Sequence, residues 1–232
     1  MLAAVRSAAV LGIEAYPVTV EVHASGALPQ FTIVGLASGA VKESRERVMS
    51  AVVNAGFELP SRRYTVNLSP ADTPKSGTAF DLPIAVALLA ATGQLHPLLL
   101  EGLLLVGELG LDGSLRPVRG VLPVARLARS LAQPPTVVIP PANVAEGALV
   151  AEVRLAAPAS LHALVQAMER GSLAELRPEV AQRASPRPPT VDLADVVGQP
   201  SARRGRTTCC SSGRPGRGRR CSRAGCRRSS RR

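Results

Sequence analysis

Val18 to His23 (VTVEVH) and Gln30 to Val34 (QFTIV) alternate apolar and polar residues, the period of a strand with one face buried. A turn-rich SGALP stretch separates them, so residues 8–34 are predicted to form antiparallel strands in a hairpin or meander. Helical spacing follows from Val41 through Val48, Val52 and Val53, and Gly56 stops it. Arg63 to Leu68 alternates again, Ser69 to Gly77 is a Pro- and Gly-rich loop, and an apolar helix is expected from Asp81 to Ala91. Leu103 to Glu108 and Ser114 to Val118 flank Leu111-Asp112-Gly113, where Asp-Gly supplies a hairpin turn. The rest predicts a helix over Val121 to Leu131, a short strand over Thr136 to Ile139 and one helical turn over Asn143 to Ala148. A strand over Glu152 to Leu155 and an amphipathic helix over Ser160 to Arg170 follow. These elements make an α/β chain of the α+β type, with helices packed on a sheet rather than in regular βαβ alternation.

Composition limits what the chain builds with these elements. Of 232 residues, 46% are hydrophobic, yet Trp is absent and there are only 3 Phe and 2 Tyr, so the core rests on Ala, Val, Leu and Ile. At roughly 100–200 residues per domain the length suits one good domain with an appendage, or two small ones. No apolar run is long enough to span a membrane and no cleavable apolar leader is evident, which predicts a cytoplasmic location. The net charge of +11 suggests a nucleic-acid binder until it is located. Residues 1–184 hold 15 basic and 15 acidic residues, whereas residues 185–232 hold 13 Arg and 2 Asp, so the whole excess lies in the tail. Cys209, Cys210, Cys221 and Cys226 lie there too, without paired metal-ligand spacing. His23, His96 and His162 are far apart, and Glu43, Glu46 and Glu169 fit solvated helix faces, so no metal site is predicted.

The loop Ser69 to Asp81 (SPADTPKSGTAFD) carries the most distinctive chemistry. It is not a Walker phosphate loop, which needs two glycines bracketing four residues before Lys-Ser/Thr, because only Gly77 is present and it follows Lys75. A Ser–Lys nucleophile is the alternative, since a desolvated lysine can act as base for a serine. Pro74-Lys-Ser-Gly-Thr-Ala-Phe-Asp81 resembles the loop-to-helix segment of Lon-type protease domains, and Gly107 to Gly120 (GELGLDGSLRPVRG) is similar to that fold's second signature. The resemblance puts the catalytic serine at Ala79 and the catalytic lysine at Leu122, neither of which can do that work. Lys75 and Ser76 then occupy non-catalytic positions, with Ser76 the only nearby nucleophile for a rival peptidase reading.

Val10-Leu-Gly-Ile-Glu-Ala, Phe31-Thr-Ile-Val-Gly-Leu-Ala, Val41 to Val48 (VKESRERV) and Asn67-Leu-Ser-Pro-Ala-Asp72 together resemble the N-terminal domain of the YifB/ComM group of magnesium-chelatase-related AAA+ ATPases. The resemblance covers residues 1–204. It implies a ribosomal protein S5 domain 2-like, Lon-like fold over 1–171, a Pro-rich linker over 172–190 and the start of an ATPase module over 191–204. Gly198 and Gln199 belong to the segment beside adenine in such modules. The family further implies ATP and Mg as cofactors of the full-length protein, DNA as partner, homo-oligomeric assembly, and helicase or branch-migration activity during natural transformation. For this chain no cofactor is expected, because no Walker A motif follows Arg204.

Residues 205–232 contain no Val, Ile, Leu, Met or aromatic residue and are expected to be a disordered Arg-rich tail that binds nucleic acid nonspecifically at most. Arg outnumbers Lys 26 to 2 across the chain, as GC-rich codons would give. Reading the tail in another frame, with synonymous codons freely chosen, permits HHLLLVGPPGAGKTMLARRLPAILPP. That string is a buried strand, a Gly-rich phosphate loop with Lys-Thr and the start of a helix. The sequence expectation is thus a truncated product whose tail is out of frame.

Overall fold

The computed structural model describes residues 1–26 and 28–178, and all that follows concerns these. Strands β1 (Leu2–Leu11) and β2 (Glu14–Ser25) form a long antiparallel hairpin, as the alternation predicts. The third strand, β3 (Gln30–Val34), departs from the predicted meander. It pairs in parallel with β4 (Arg63–Ser69), which itself lies antiparallel to β2, and the sheet order is β1-β2-β4-β3. The reason is the 16-residue helix α1 (Gly39–Asn54) between β3 and β4, long enough to return the chain to a parallel position. Gly35 makes the departure from β3 feasible. Its φ is +101°, and a Cβ there would stand 2.2 Å from the Leu68 carbonyl oxygen, so only glycine fits against β4.

Helix α2 (Asp81–Ala91) covers the residues expected of it, and all eleven are buried. It packs on β1, β2 and α1, and its side chains share one core with Val20, Val22, Val66, Leu68, Val48 and Val52. A helix apolar all round is stable only when enclosed on every side. The same core takes in Leu105, Val138 and Ala156 of a second sheet and Leu161, Leu164 and Val165 beyond it.

That second sheet completes the mixed α/β architecture expected from the sequence and adds parallel crossovers that the sequence did not predict. Strands β5 (Leu103–Leu105), β8 (Thr136–Val138) and β9 (Arg154–Ala156) run parallel in the order β5-β8-β9. Between β5 and β8 the chain forms a hairpin, β6 (Glu108–Leu109) and β7 (Leu115–Arg116), followed by α3 (Val121–Ser130). The four-residue helix α4 (Val144–Gly147) joins β8 to β9. Leu103 to Leu105 is therefore not the first arm of the Asp-Gly hairpin, as the sequence suggested. It is buried on both faces although it is the edge strand of this sheet, because β1 packs alongside it. One face meets α3 through Leu104, Val137, Val121 and Val124, and the other joins the main core through Leu105 and Val138. Helix α5 (Leu161–Glu169) closes the main core with Leu161, Leu164, Val165 and Met168. Ser160 caps it, its Oγ accepting from the Ala163 amide at 3.2 Å. The chain then stays in place to a short 3-10 turn, Leu173–Leu176, whose Leu176 carbonyl accepts from Ala157 N–H at 2.8 Å. Among the described residues no helix is long and apolar enough to cross a membrane.

Candidate functional site

The loop Ser69 to Phe80 and the hairpin β6–β7 are far apart in sequence, and the backbone stitches them together. Gly107 N–H donates to the Ala79 carbonyl at 2.9 Å, and Leu82 N–H donates to the Gly107 carbonyl at 3.0 Å. Farther up the loop, Lys75 bridges to the segment after β3, taking Ser38 N–H at 2.9 Å and donating to the Leu36 carbonyl at 3.2 Å. Tyr16 on β2 holds the same loop through a 2.6 Å bond to the Pro74 carbonyl, and burial, with Asp72 nearby, raises its phenol pKa.

Between this loop, the far end of β1 and the segment Pro117 to Val121 lies a cleft of about 550 Å³. Ser76, Gly77, Thr78 and Ala79 form one wall, Val118, Arg119 and Gly120 another, and Val106, Val121 and Val124 supply apolar floor. Its charged side chains are Glu108 and Arg119, one of each sign. Thr78 Oγ1 donates to the Glu108 carboxylate and so holds it against the wall. Gly120 is held at φ +83°, and a Cβ there would lie 2.9 Å from Val10 Cγ2, so the Arg119–Gly120 wall closes onto β1 only because it lacks a side chain.

Two residues that sequence reasoning missed shape this wall. The carboxamide of Asn143, buried behind it, donates to the Val118 carbonyl at 2.8 Å and accepts from Val118 N–H at 2.9 Å, imitating a β-ladder partner. Glu146 accepts from Leu122 N–H at 2.9 Å, a carboxylate at the positive N-terminus of α3. Both lie in a stretch that read as a single helical turn, and nothing in its pattern announces a clamp.

The residues singled out from sequence fall as follows. Ala79 lines the cleft; Leu122 does not, and the α3 residues that do are Val121 and Val124. Ser76 is exposed in the cleft wall, while Lys75 is fully buried and is not among the lining residues, so the two do not form a dyad. Lys75 Nζ has no hydrogen-bond partner among the described residues, and burial lowers its pKa against the opposing pull of Asp72. The carboxylate of Asp81, also fully buried, is held by Arg47 from α1 through Nε at 2.9 Å and Nη2 at 3.2 Å, with Leu109 N–H at 3.4 Å. Burial nevertheless raises the Asp81 pKa, and the Arg47 bonds only partly offset it. His96 accepts from Leu98 N–H, and His162 lies beside Phe57, Ala55 and Gln166. Among the described residues no three His, Cys, Asp or Glu side chains gather as a metal site. Gly198, Gln199 and the four cysteines lie outside the described residues.

Comparison with known proteins places this architecture. The family model for subunit ChlI of magnesium chelatase matches residues 20–143, which takes in the end of β2, α1, the loop, α2, the cleft hairpin and α3. The chain is 44% identical over 204 residues to the uncharacterised protein YifB of Salmonella typhimurium and 42% identical over 204 residues to YifB of Escherichia coli. It is 40% identical over 209 residues to the competence protein ComM of Haemophilus influenzae. These alignments cover 88–89% of this chain but only 40–41% of each relative, so the chain spans about two fifths of their length. Through the loop, the cleft hairpin and the helices that carry them, the chain belongs to the YifB/ComM family of magnesium-chelatase-related proteins.

Proposed function

We propose that this chain is the N-terminal, non-catalytic domain of a YifB/ComM-type AAA+ ATPase, with the S5 domain 2-like, Lon-like fold. The observation that carries the reading is the cleft itself. Ala79 occupies the wall position where the resemblance to Lon-type domains calls for a serine, and Leu122 stands outside the lining. In this reading the cleft persists without hydrolysis, and ATP-driven work on DNA belongs to an ATPase module with ATP and Mg. The name of the Haemophilus relative, a competence protein, supports a setting in DNA processing. The domain then serves the motor as an accessory layer of a homo-oligomer. The out-of-frame origin of residues 205–232 belongs to the same reading and is tested on the nucleotide sequence of the locus, where the alternative frame should run on into a Walker B motif.

A chimera tests the role directly. Residues 1–204 placed in Haemophilus ComM, in exchange for the corresponding stretch, should restore transformation to a strain lacking ComM; failure of a stably expressed chimera rejects the accessory role. Calorimetry with Mg-ATP on the 232-residue chain should give no binding in the micromolar range, because no P-loop amide cradle is present in its sequence. A peptidase activity abolished by Ser76→Ala would instead favour the hydrolase.

A second reading rests on charge. Residues 201–232 carry 12 Arg and no acidic residue, enough to bind phosphate backbones at low salt. Deleting them should remove DNA retention and its salt dependence together, and an unchanged salt slope would reject it.

A further inference from the structure

Register decides which backbone groups of β1 are free. Met1 and Ala24 exchange both of their backbone bonds, at 2.7 and 2.9 Å, which fixes the parity of the hairpin. Ala3, Val5, Ser7, Ala9 and Leu11 therefore bond to β2, while the N–H and C=O groups of Ala8 and Val10 point away from it. Up to Ser7 that outer edge is covered, since β5 packs along β1 and Ser7 Oγ donates to the Leu105 carbonyl at 2.9 Å. From Ala8 onward the edge borders the cleft, and Ala8, Ala9, Val10 and Gly12 line it. Ala8 and Val10 make no other backbone bond among the described residues.

Two donors and two acceptors thus recur along one line at the two-residue repeat of a strand, about 7 Å. A polypeptide in extended conformation presents the matching groups at the same repeat; a nucleic acid does not. The charge of the lining agrees, because Glu108 and Arg119 balance and leave no positive field for a polyanion. Small or apolar walls at Gly77, Ala79, Gly120 and Val106 admit a backbone closely, and Leu11 and Ile13, 62% and 86% exposed, offer apolar surface at the hairpin tip beside it. We propose that this cleft binds an extended polypeptide segment, which adds as a strand to the free edge of β1 at Ala8 and Val10. The segment is held and not cut. The inference stands on the β1 register and does not depend on the motor reading.

The test uses the full 232-residue chain, isotopically labelled, and an N-acetylated, C-amidated hexapeptide of alternating Val and Thr. Saturable changes are expected at the amides of Ala8, Val10, Gly77, Thr78 and Gly120. A peptide N-methylated at its Val residues, which loses the edge-facing donors, should bind about tenfold more weakly. Val10→Pro should weaken the unmodified peptide by about tenfold too, because it removes an N–H that β2 does not use. Should Val10→Pro not fold, Ala79→Leu narrows the cleft without touching β1 and should weaken binding likewise. The proposal is overturned if the peptide perturbs other surfaces or none, or if N-methylation leaves affinity unchanged. It is also overturned if a thymidine oligonucleotide, and not the peptide, moves these amides.

Discussion

Lys75 and Asp81 belong to one loop-to-helix connection, carry opposite charges and are both fully buried, yet their surroundings differ. Asp81 is met by a two-point guanidinium contact and a backbone amide, while Lys75 ends without a partner. In both, burial dominates and favours the neutral form, downward for the lysine and upward for the acid. The contrast separates two uses of a buried charge. The Arg47–Asp81 pair fixes α1 against the start of α2 and the β6 strand at one register. Lys75 spends stability without returning a bond. Pairing gives position more surely than it gives net free energy, since desolvation consumes much of the attraction.

The comparison is broken most forcefully at Arg47. Arg47→Leu leaves the Asp81 carboxylate buried with one long amide contact, and urea unfolding should show a loss of about 3–4 kcal/mol. Asp81→Asn should cost roughly half as much, about 2 kcal/mol, because Arg47, with a quarter of its side chain exposed, can be rehydrated. An equal loss in both variants would mean the pair is not asymmetric. Lys75→Met runs the other way: an apolar chain of similar length replaces an unpaired amine, and stability should rise by about 1 kcal/mol.

The smallest effects are in pH dependence. A buried lysine with a lowered pKa makes the folded state bind a proton less readily than the unfolded chain. Stability is therefore highest above the unfolded lysine value, about 10.4, and falls as pH drops from there toward the folded value. Lys75→Met should flatten this alkaline limb. Asp81 acts with opposite polarity, its raised pKa adding stability that is full below the unfolded value of about 3.9 and is lost as pH rises through the folded one. Asp81→Asn should flatten that acid limb, as followed by denaturant midpoint against pH.

Much of the fold could be read locally because patterns mark elements, but patterns do not name partners. The run Asp81 to Ala91 announced α2, and the alternation through Val18, Val20 and Val22 announced β2. The same alternation in β3 suits either neighbour, and only the crossover through α1 puts it beside β4. Leu103 to Leu105 looked like a hairpin arm because the Asp-Gly turn follows closely, although three consecutive apolar residues indicate a strand buried on both faces. At the site, the loop and the Gly107–Gly120 segment were legible as motifs. Arg47 was not, standing in a charged run that looks like any solvated helix face, and Asp81 marked only the start of an apolar helix. Asn143 works through its amide on a distant backbone, a role that leaves no local trace.

Helix α2 has no side that water can visit. Any fragment that ends before β9 and α5 would leave part of this helix uncovered, and a truncation that keeps α2 but loses Leu161, Leu164 and Val165 should be cleared by cellular proteases or driven into inclusion bodies. The shortest piece of this chain that can be handled as a soluble object is therefore set by its central helix, and it reaches at least to Glu169.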